Sequence, residues 1–143
     1  MLIEHILLRK GRDVVTVAAD ETVTRAVAIL GEHNVGALVV ADDEGGIVGI
    51  LSERDVVRGL ASGGPGILKG RVSDLMTAEV TTCGPQATVD ELMTMMTERR
   101  IRHIPVVDED GLAGIVSIGD VVKTRIGELE TETETLHEYL SGR

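Results

Sequence analysis

The chain has 143 residues, 43% of them apolar, with no Phe, no Trp and a single tyrosine, Tyr139. That suffices for one compact core or for two small lobes sharing one, and the core has to be built from Val, Ile, Leu, Ala and Met. A formal charge of −10 repels phosphate backbones and no basic run or aromatic platform offsets it, so a nucleic-acid partner is not expected.

The first element in chain order is a lead-in helix at "LIEHILLRK", residues 2 to 10. Its acidic Glu4 and short apolar stretch do not make a signal peptide, and no run approaches the ~18 apolar residues of a membrane span, which points to a cytoplasmic protein without a membrane partner. A short β-rich segment, "DVVTV" at 13 to 17, leads to a helix with apolar residues at three- and four-residue spacing, Val23, Ala26, Val27 and Leu30, with Thr22 at the N-cap place. "ALVVADDEGGIVGIL" then reads as two strands around an acidic Gly turn, and Ser52 stands where the second strand hands over to the helix "ERDVVRGLA". "SGGPGILKGR" at 62 to 71 is a Gly/Pro-rich linker, and it lacks the Gly-Lys-Ser/Thr ending of a phosphate loop.

From residue 72 the order recurs: a short helix "VSDLM", a β-rich "EVTTC", a helix carrying Val89, Leu92 and Met96 behind Thr88, a hairpin "HIPVVDEDGLAGIVS", and Ser117 before "IGDVVKTRI". With a shift of 66, Val14 meets Val80, Thr22 meets Thr88, Val40 meets Val106 and Gly45 meets Gly111; the extra Gly46 changes the shift to 65, and "GILSERDVV" meets "GIVSIGDVV". The unit is β-α-β-β-α, twice. Residues 1–61 with their lead-in helix form the first repeat, 72–126 the second, and 127–143 an acidic C-terminal helix. Roughly 55 residues without aromatics bury too little surface to stand alone, so the halves are expected to pack with pseudo-twofold symmetry.

The repeated Gly-Ile-x-Ser-x-x-Asp-Val-Val, the "RHIPVVDEDG" segment, the "DLMT" lead-in at 74 to 77 and the β-α-β-β-α order resemble a tandem pair of cystathionine-β-synthase-type (CBS) domains, a stand-alone Bateman module. The resemblance implies an α/β (α+β) fold and a regulatory sensor, not an enzyme, binding AMP, ATP or NAD in clefts between the repeats and signalling to a partner protein by conformational change. An Asp one turn beyond a Ser at a helix start suits this chemistry. The carboxylate accepts from ribose hydroxyls while the Ser and the free helix N–H groups face a phosphate. Asp in the first turn and Ser at the cap also stabilise a helix with no ligand at all.

By the same resemblance one cleft takes Gly11, Val15, Val35, Gly36, Ala37, Arg102, His103, Ser117 and Asp120, and the other Thr77, Thr81, Ile101, Arg102, His103, Ser52, Arg54 and Asp55. Arg102 and His103 occupy positions where the first repeat has Gly36 and Ala37, so the cleft around Asp120 is expected to be the stronger phosphate site, with Arg54 a lone cation in the other. Arg99 and Arg100 read as a solvated helix end.

No Gly-x-Ser-x-Gly nucleophile elbow is present, and His5, His33, His103 and His137 lack metal-ligand spacing. The lone Cys83 offers no internal disulfide and reads as a small buried strand residue. Val122, Ile126, Leu129, Thr133, Leu136 and Leu140 alternate spacings of four and three, a short heptad seam. With the resemblance, it points to a homodimer, and the competing reading is a ligand-free dimeric interaction module.

Overall fold

The two copies fold alike, and each element forms for local reasons. The computed structural model describes residues 1–141 and runs α1 (Ile3–Lys10), β1 (Thr16–Val17), α2 (Val23–His33), β2 (Ala37–Ala41), β3 (Ile47–Ser52), α3 (Glu53–Gly63), a 3₁₀ turn (Pro65–Lys69), α4 (Val72–Leu75), α5 (Val89–Arg99), β4 (His103–Asp108), β5 (Gly111–Ser117) and α6 (Ile118–Leu140). The Thr22 and Thr88 hydroxyls accept from the N–H groups of Arg25 and Glu91, both at 3.1 Å, and so satisfy one orphan donor of α2 and of α5. Both helices end on a left-handed residue, Asn34 (φ 52°) and Arg100 (φ 54°), 66 positions apart.

β2 and β3 form an antiparallel hairpin, as do β4 and β5, and the register slips at the same place in both, between Val40 and Ala41 and between Val106 and Val107. β1 lies parallel to β2 in the first sheet, whereas its counterpart in the second repeat is reduced to one bridge, Cys83 to Val106. The expected strand at "EVTTC" is cut short for a covalent reason. Val39 donates its N–H to the Val15 carbonyl at 3.2 Å, but Pro105 stands at the matching place and has no N–H to give.

Each lead-in helix packs on the other repeat. Ile3, Ile6 and Leu7 of α1 are buried with Val89, Leu92, Met96, Ile104 and Val116 of the second repeat, while Val72 of α4 is buried with Val17, Ala26, Leu38 and Leu51 of the first. The backbone follows: Ile3 N–H donates to Ala87 O at 2.8 Å and Val89 N–H to Met1 O at 3.0 Å, and across the exchange Val72 N–H donates to Glu21 O at 2.8 Å. The expected first repeat, 1–61, is contiguous in sequence, but its first ten residues serve the second core. Two glycines permit the crossing, since a Cβ on Gly114 would stand 2.6 Å from Leu7 Cδ2 and one on Gly49 would stand 2.5 Å from Met76 Sδ.

Two expected boundaries are ordered structure instead. α3 runs on to Gly63 and the 3₁₀ turn occupies most of the linker, with Ile67 lying against Gly59. α6 is continuous through 126 and 127, and the last two residues of the expected helix 127–143 lie outside the described residues. No helix among the described residues is long and apolar enough to cross a membrane.

Leu7→Ala should cost 2–5 kcal/mol, the usual range for emptying a fully buried leucine site. It should lower the urea midpoint and strip hydrogen-exchange protection from α5, β4 and β5. Protection lost in the first repeat instead would contradict the crossed packing.

Candidate functional site

Each hairpin delivers its last residue to a helix start. Ser52 pairs with Ala37 at the end of β3 and caps α3, and Ser117 pairs with His103 at the end of β5 and caps α6. Both ends carry the same reciprocal box. Ser52 Oγ accepts from Asp55 N–H at 3.2 Å while Asp55 Oδ2 accepts from Ser52 N–H at 2.9 Å, and the Ser117–Asp120 pair repeats both distances. The first helical N–H groups are then drawn sideways, Glu53 N–H to Gly36 O at 3.0 Å and Ile118 N–H to Arg102 O at 2.8 Å. The loop before β2 is thereby fixed beside α3, and the loop before β4 beside α6.

Two clefts result. The first, with about 720 Å³ of space open to solvent, is bordered by all eight residues expected there, Ser52, Arg54, Asp55, Thr77, Thr81, Ile101, Arg102 and His103. It also takes in Glu53, Arg58, Glu79 and Arg100, which sequence reasoning missed. Arg58 sits one helical turn beyond Arg54, a spacing that could have revealed it. Arg100 is exposed at the left-handed end of α5, as a solvated helix end should be, and also borders this cleft, while Arg99 donates to Thr81 Oγ1 at 3.0 Å. Four arginines, at 54, 58, 100 and 102, and three acidic residues, at 53, 55 and 79, thus border this cleft.

The second cleft brings together Val15, Val35, Gly36, Ala37, His103 and Ser117 as expected, with Lys10, Asp13, Val14, Asn34 and Ile115 added. Three residues expected there stand elsewhere. Arg102 borders only the first cleft, and Gly11 closes α1 without lining the space. Asp120 faces an adjoining groove with Arg9, Lys10 and Thr124, because Lys10 Nζ donates to its Oδ2 at 2.7 Å and to Ile115 O at 2.8 Å. Nothing local announces that contact, since Lys10 and Asp120 are 110 positions apart in the chain.

The charge states follow from the surroundings. Burial raises the Asp120 carboxyl, but hydrogen bonds from Lys10 and Ser117 and the Lys10 charge outweigh it and hold the group below its usual range. Burial lowers His103, and Lys10 and Arg102 add to this against the opposing pull of Glu53 and Asp120, so the imidazole is mainly neutral at pH 7. His103 borders both clefts, and its Nε2 lies 3.1 Å from where a Cβ on Gly36 would be. Burial and then the Glu91 carboxylate push the Cys83 thiol up to about 11, which makes it neither nucleophile nor ligand at neutral pH. Cys83 is half-buried against the second core, and no cluster among the described residues has the makings of a metal site.

Two equivalent capped helix starts, each facing the loop of the opposite repeat across a cleft, coincide with two matches to the CBS domain model, at residues 5–62 and 72–127. The chain belongs to the CBS-domain family. It is 41% identical over 127 residues to the mitochondrial CBS domain-containing protein CBSX3 of Arabidopsis thaliana, which covers 86% of this chain and 62% of that protein. Among solved structures it is similar to the CBS-domain protein ATU1752 of Agrobacterium tumefaciens, at 46% identity and a TM-score of 0.86 over 87% of this chain and 99% of that one. It is also similar to the CBS pair of MJ0100 in complex with 5′-methylthioadenosine and S-adenosyl-L-methionine, at 28% identity and a TM-score of 0.78 over 90% and 98%. CBS pairs of this kind are typically regulatory modules.

Asp120 titrates below the unfolded aspartate value of about 3.9, so its contribution to stability is complete above that value and is lost as pH falls through the folded pKa. Lys10→Met removes the hydrogen bond and charge that lower the pKa while the burial that raises it persists. Urea titrations from pH 3 to 7 should show the variant losing roughly 1 kcal/mol or less at neutral pH. The stability it retains should fall off at higher pH than in the parent. An unchanged acid limb would show that Lys10 does not govern Asp120.

Proposed function

We propose that this CBS pair is a sensor for an adenosine-containing nucleotide, AMP, ATP or NAD, and that it signals to a partner protein by a shift between its repeats. The observation carrying this reading is the first cleft, where a capped helix start with a ribose-type acceptor and Arg54 and Arg58 on one side faces Arg100 and Arg102 of the other repeat. Asp55 Oδ2 is engaged by its own cap, but Oδ1 accepts no hydrogen bond among the described residues and remains for a ribose hydroxyl. The positive end of α3, where the Arg54 N–H is the first-turn donor spent neither on the cap nor on the neighbouring loop, and the arginines at 54, 58 and 102 suit the phosphate. The adenosyl ligands in the MJ0100 pair support the nucleoside half of the reading.

In this reading the phosphate favours the Asp55 cleft, the reverse of the order drawn from sequence. Of the basic pair expected in both clefts, Arg102 borders the Asp55 cleft alone and His103 borders both, and Asp120 is already held by Lys10. A ligand in the second cleft, lined by Val15, Val35, Gly36 and Ala37, meets a mostly apolar wall and has to displace an ion pair to reach Asp120. Gly36 and His103 are shared by both clefts, so a ligand that moves the imidazole reshapes the neighbouring space.

The module acts as a homodimer. Helices α3 and α6 leave apolar residues uncovered at matching places, Val57 at 64% exposed and Val122 at 45%, and a second copy would cover them.

A thermal-shift panel of AMP, ADP, ATP, NAD, NADH and S-adenosylmethionine tests the sensor. A ligand at about 100 times its Kd adds roughly 2.7 kcal/mol, which should raise Tm by about 5 to 10 °C. Asp55→Ala should remove more of the shift than Asp120→Ala, each measured from its own baseline. Flat curves at millimolar ligand would favour a ligand-free interaction module, in which the Ser–Asp boxes only cap helices.

A further inference from the structure

Helix α6 has two faces with different fates. Val121 and Thr124 are buried on the body, where Arg9 donates to Thr124 Oγ1 at 3.2 Å and the Met1 ammonium lies 3.6 Å from Glu128. The face carrying Ile126 (52% exposed), Leu129 (46%), Leu136 (57%) and Leu140 (72%) points away from it. Thr133 completes this stripe without breaking it. Its hydroxyl donates to Leu129 O of the same helix at 2.9 Å, so the donor is satisfied locally and the methyl group is free to face the seam.

We infer that Ile126–Leu140 pairs in parallel with the same segment of a second copy of this chain, as a short two-stranded coiled coil. The inference deepens the homodimer proposed above and rests on it. Charge decides the occupant and the direction. Residues 126, 133 and 140 take the a positions and 129 and 136 the d positions, which puts Arg125 and Glu132 at g and Glu130 and His137 at e. A parallel pair sets each g residue beside the partner helix's e residue five places on. Arg125 then faces the second copy's Glu130, and Glu132 faces the second copy's His137, whose ring N–H donates to it. An antiparallel pair keeps four of the five apolar layers in either of two registers: one leaves out Leu140 and sets Glu130 against Glu130 and Glu132 against Glu132, and the other leaves out Ile126, sets Glu132 beside Tyr139 and gives Arg125 no acidic partner. The parallel pair keeps all five layers, matches Arg125 with Glu130 and opposes no like charges.

Arg125 is placed for this task. Its guanidinium already lies 3.1 Å from Glu128 and 3.9 Å from Asp90, which anchors it at the edge of the seam. Of the remaining carboxylates, Glu128 is held on the body between the Met1 ammonium and Arg125, and those at 134 and 138 fall on the outer positions where water and salt screen them. Two heptads do not hold together unaided, so the segment adds to an interface that the module body begins.

Sedimentation equilibrium of the full chain, combined with cysteine scanning in a Cys83→Ser background, tests the pairing. Under oxidised glutathione, Leu136→Cys should give a covalent dimer, because d residues of a parallel pair face each other within disulfide reach. Glu134→Cys, on the outer face, should not. Glu130→Arg should weaken the dimer about threefold to tenfold, since it sets two cations together at each of two symmetric pairs. A dimer in which Leu136→Cys fails to link, or links only to a cysteine placed at 126, would overturn the parallel coil and leave the dimer standing. A monomer at all concentrations would remove both, while the nucleotide panel would still judge the clefts.

Discussion

Leu7 resting on the bare Cα of Gly114 is the contact on which the rest of the arrangement depends. It brings the first helix of the chain into the core of the second repeat, and Met76 against Gly49 makes the matching contact in the first. Each repeat therefore completes its core with a helix that chain order assigns elsewhere. Separating the halves would expose Ile3, Ile6 and Leu7 on one side and Val72 on the other, all of them at most 3% exposed in the fold. The clefts lie between halves locked together in this way. Whatever closes or widens a cleft has to move an element that belongs to both cores.

The same helix reaches the chemistry. Lys10 closes α1 one turn after Leu7, so the packing that seats Leu7 also delivers an ammonium to Asp120 and to the Ile115 carbonyl. In the first repeat the corresponding carbonyl, that of Ile50, is met at 2.9 Å by the backbone N–H of Thr77. One strand edge is thus satisfied by a charged side chain and its counterpart by neutral backbone. That difference leaves Asp55 without a cation on its carboxylate and gives Asp120 one. The inequality of the two clefts is a consequence of how the strand edges are closed as much as of which residues line them.

Much of the fold was legible because it is local and stated twice. The caps at Thr22 and Thr88, the hairpin turns around Gly45 and Gly111 and the helix starts at Ser52 and Ser117 each follow from residues within four positions, and the shift of 66 then 65 fixed their correspondence. The crossing of α1 was not legible. Apolar spacing at Ile3, Ile6 and Leu7 tells which face of a helix is buried but not which surface buries it. Which cleft keeps Arg102 was not legible either, since both were expected to hold it. It precedes β4 by one residue, its carbonyl is claimed by Ile118 N–H, and it borders the first cleft. Pro105 against Val39 was visible as a difference, and its effect is plain once the missing N–H is counted in the ladder.

The Ser–Asp boxes reconcile the two roles that compete for these residues. A capping box uses one oxygen of the carboxylate and the hydroxyl's lone pair, and it holds both side chains at a helix start where the N–H of Arg54, or of Gly119, is the first-turn donor spent neither on the cap nor on the neighbouring loop. The second carboxylate oxygen and that N–H, at the positive end of the helix, are what a ribose and a phosphate require. The cap therefore does not exclude a ligand; it fixes the rotamers that a ligand would otherwise have to order, which lowers the entropy lost on binding. On this argument the structural and the ligand-binding readings of Ser52–Asp55 and Ser117–Asp120 are not alternatives. What separates the two clefts is the company each carboxylate keeps: arginines around Asp55, and around Asp120 a lysine that has already arrived.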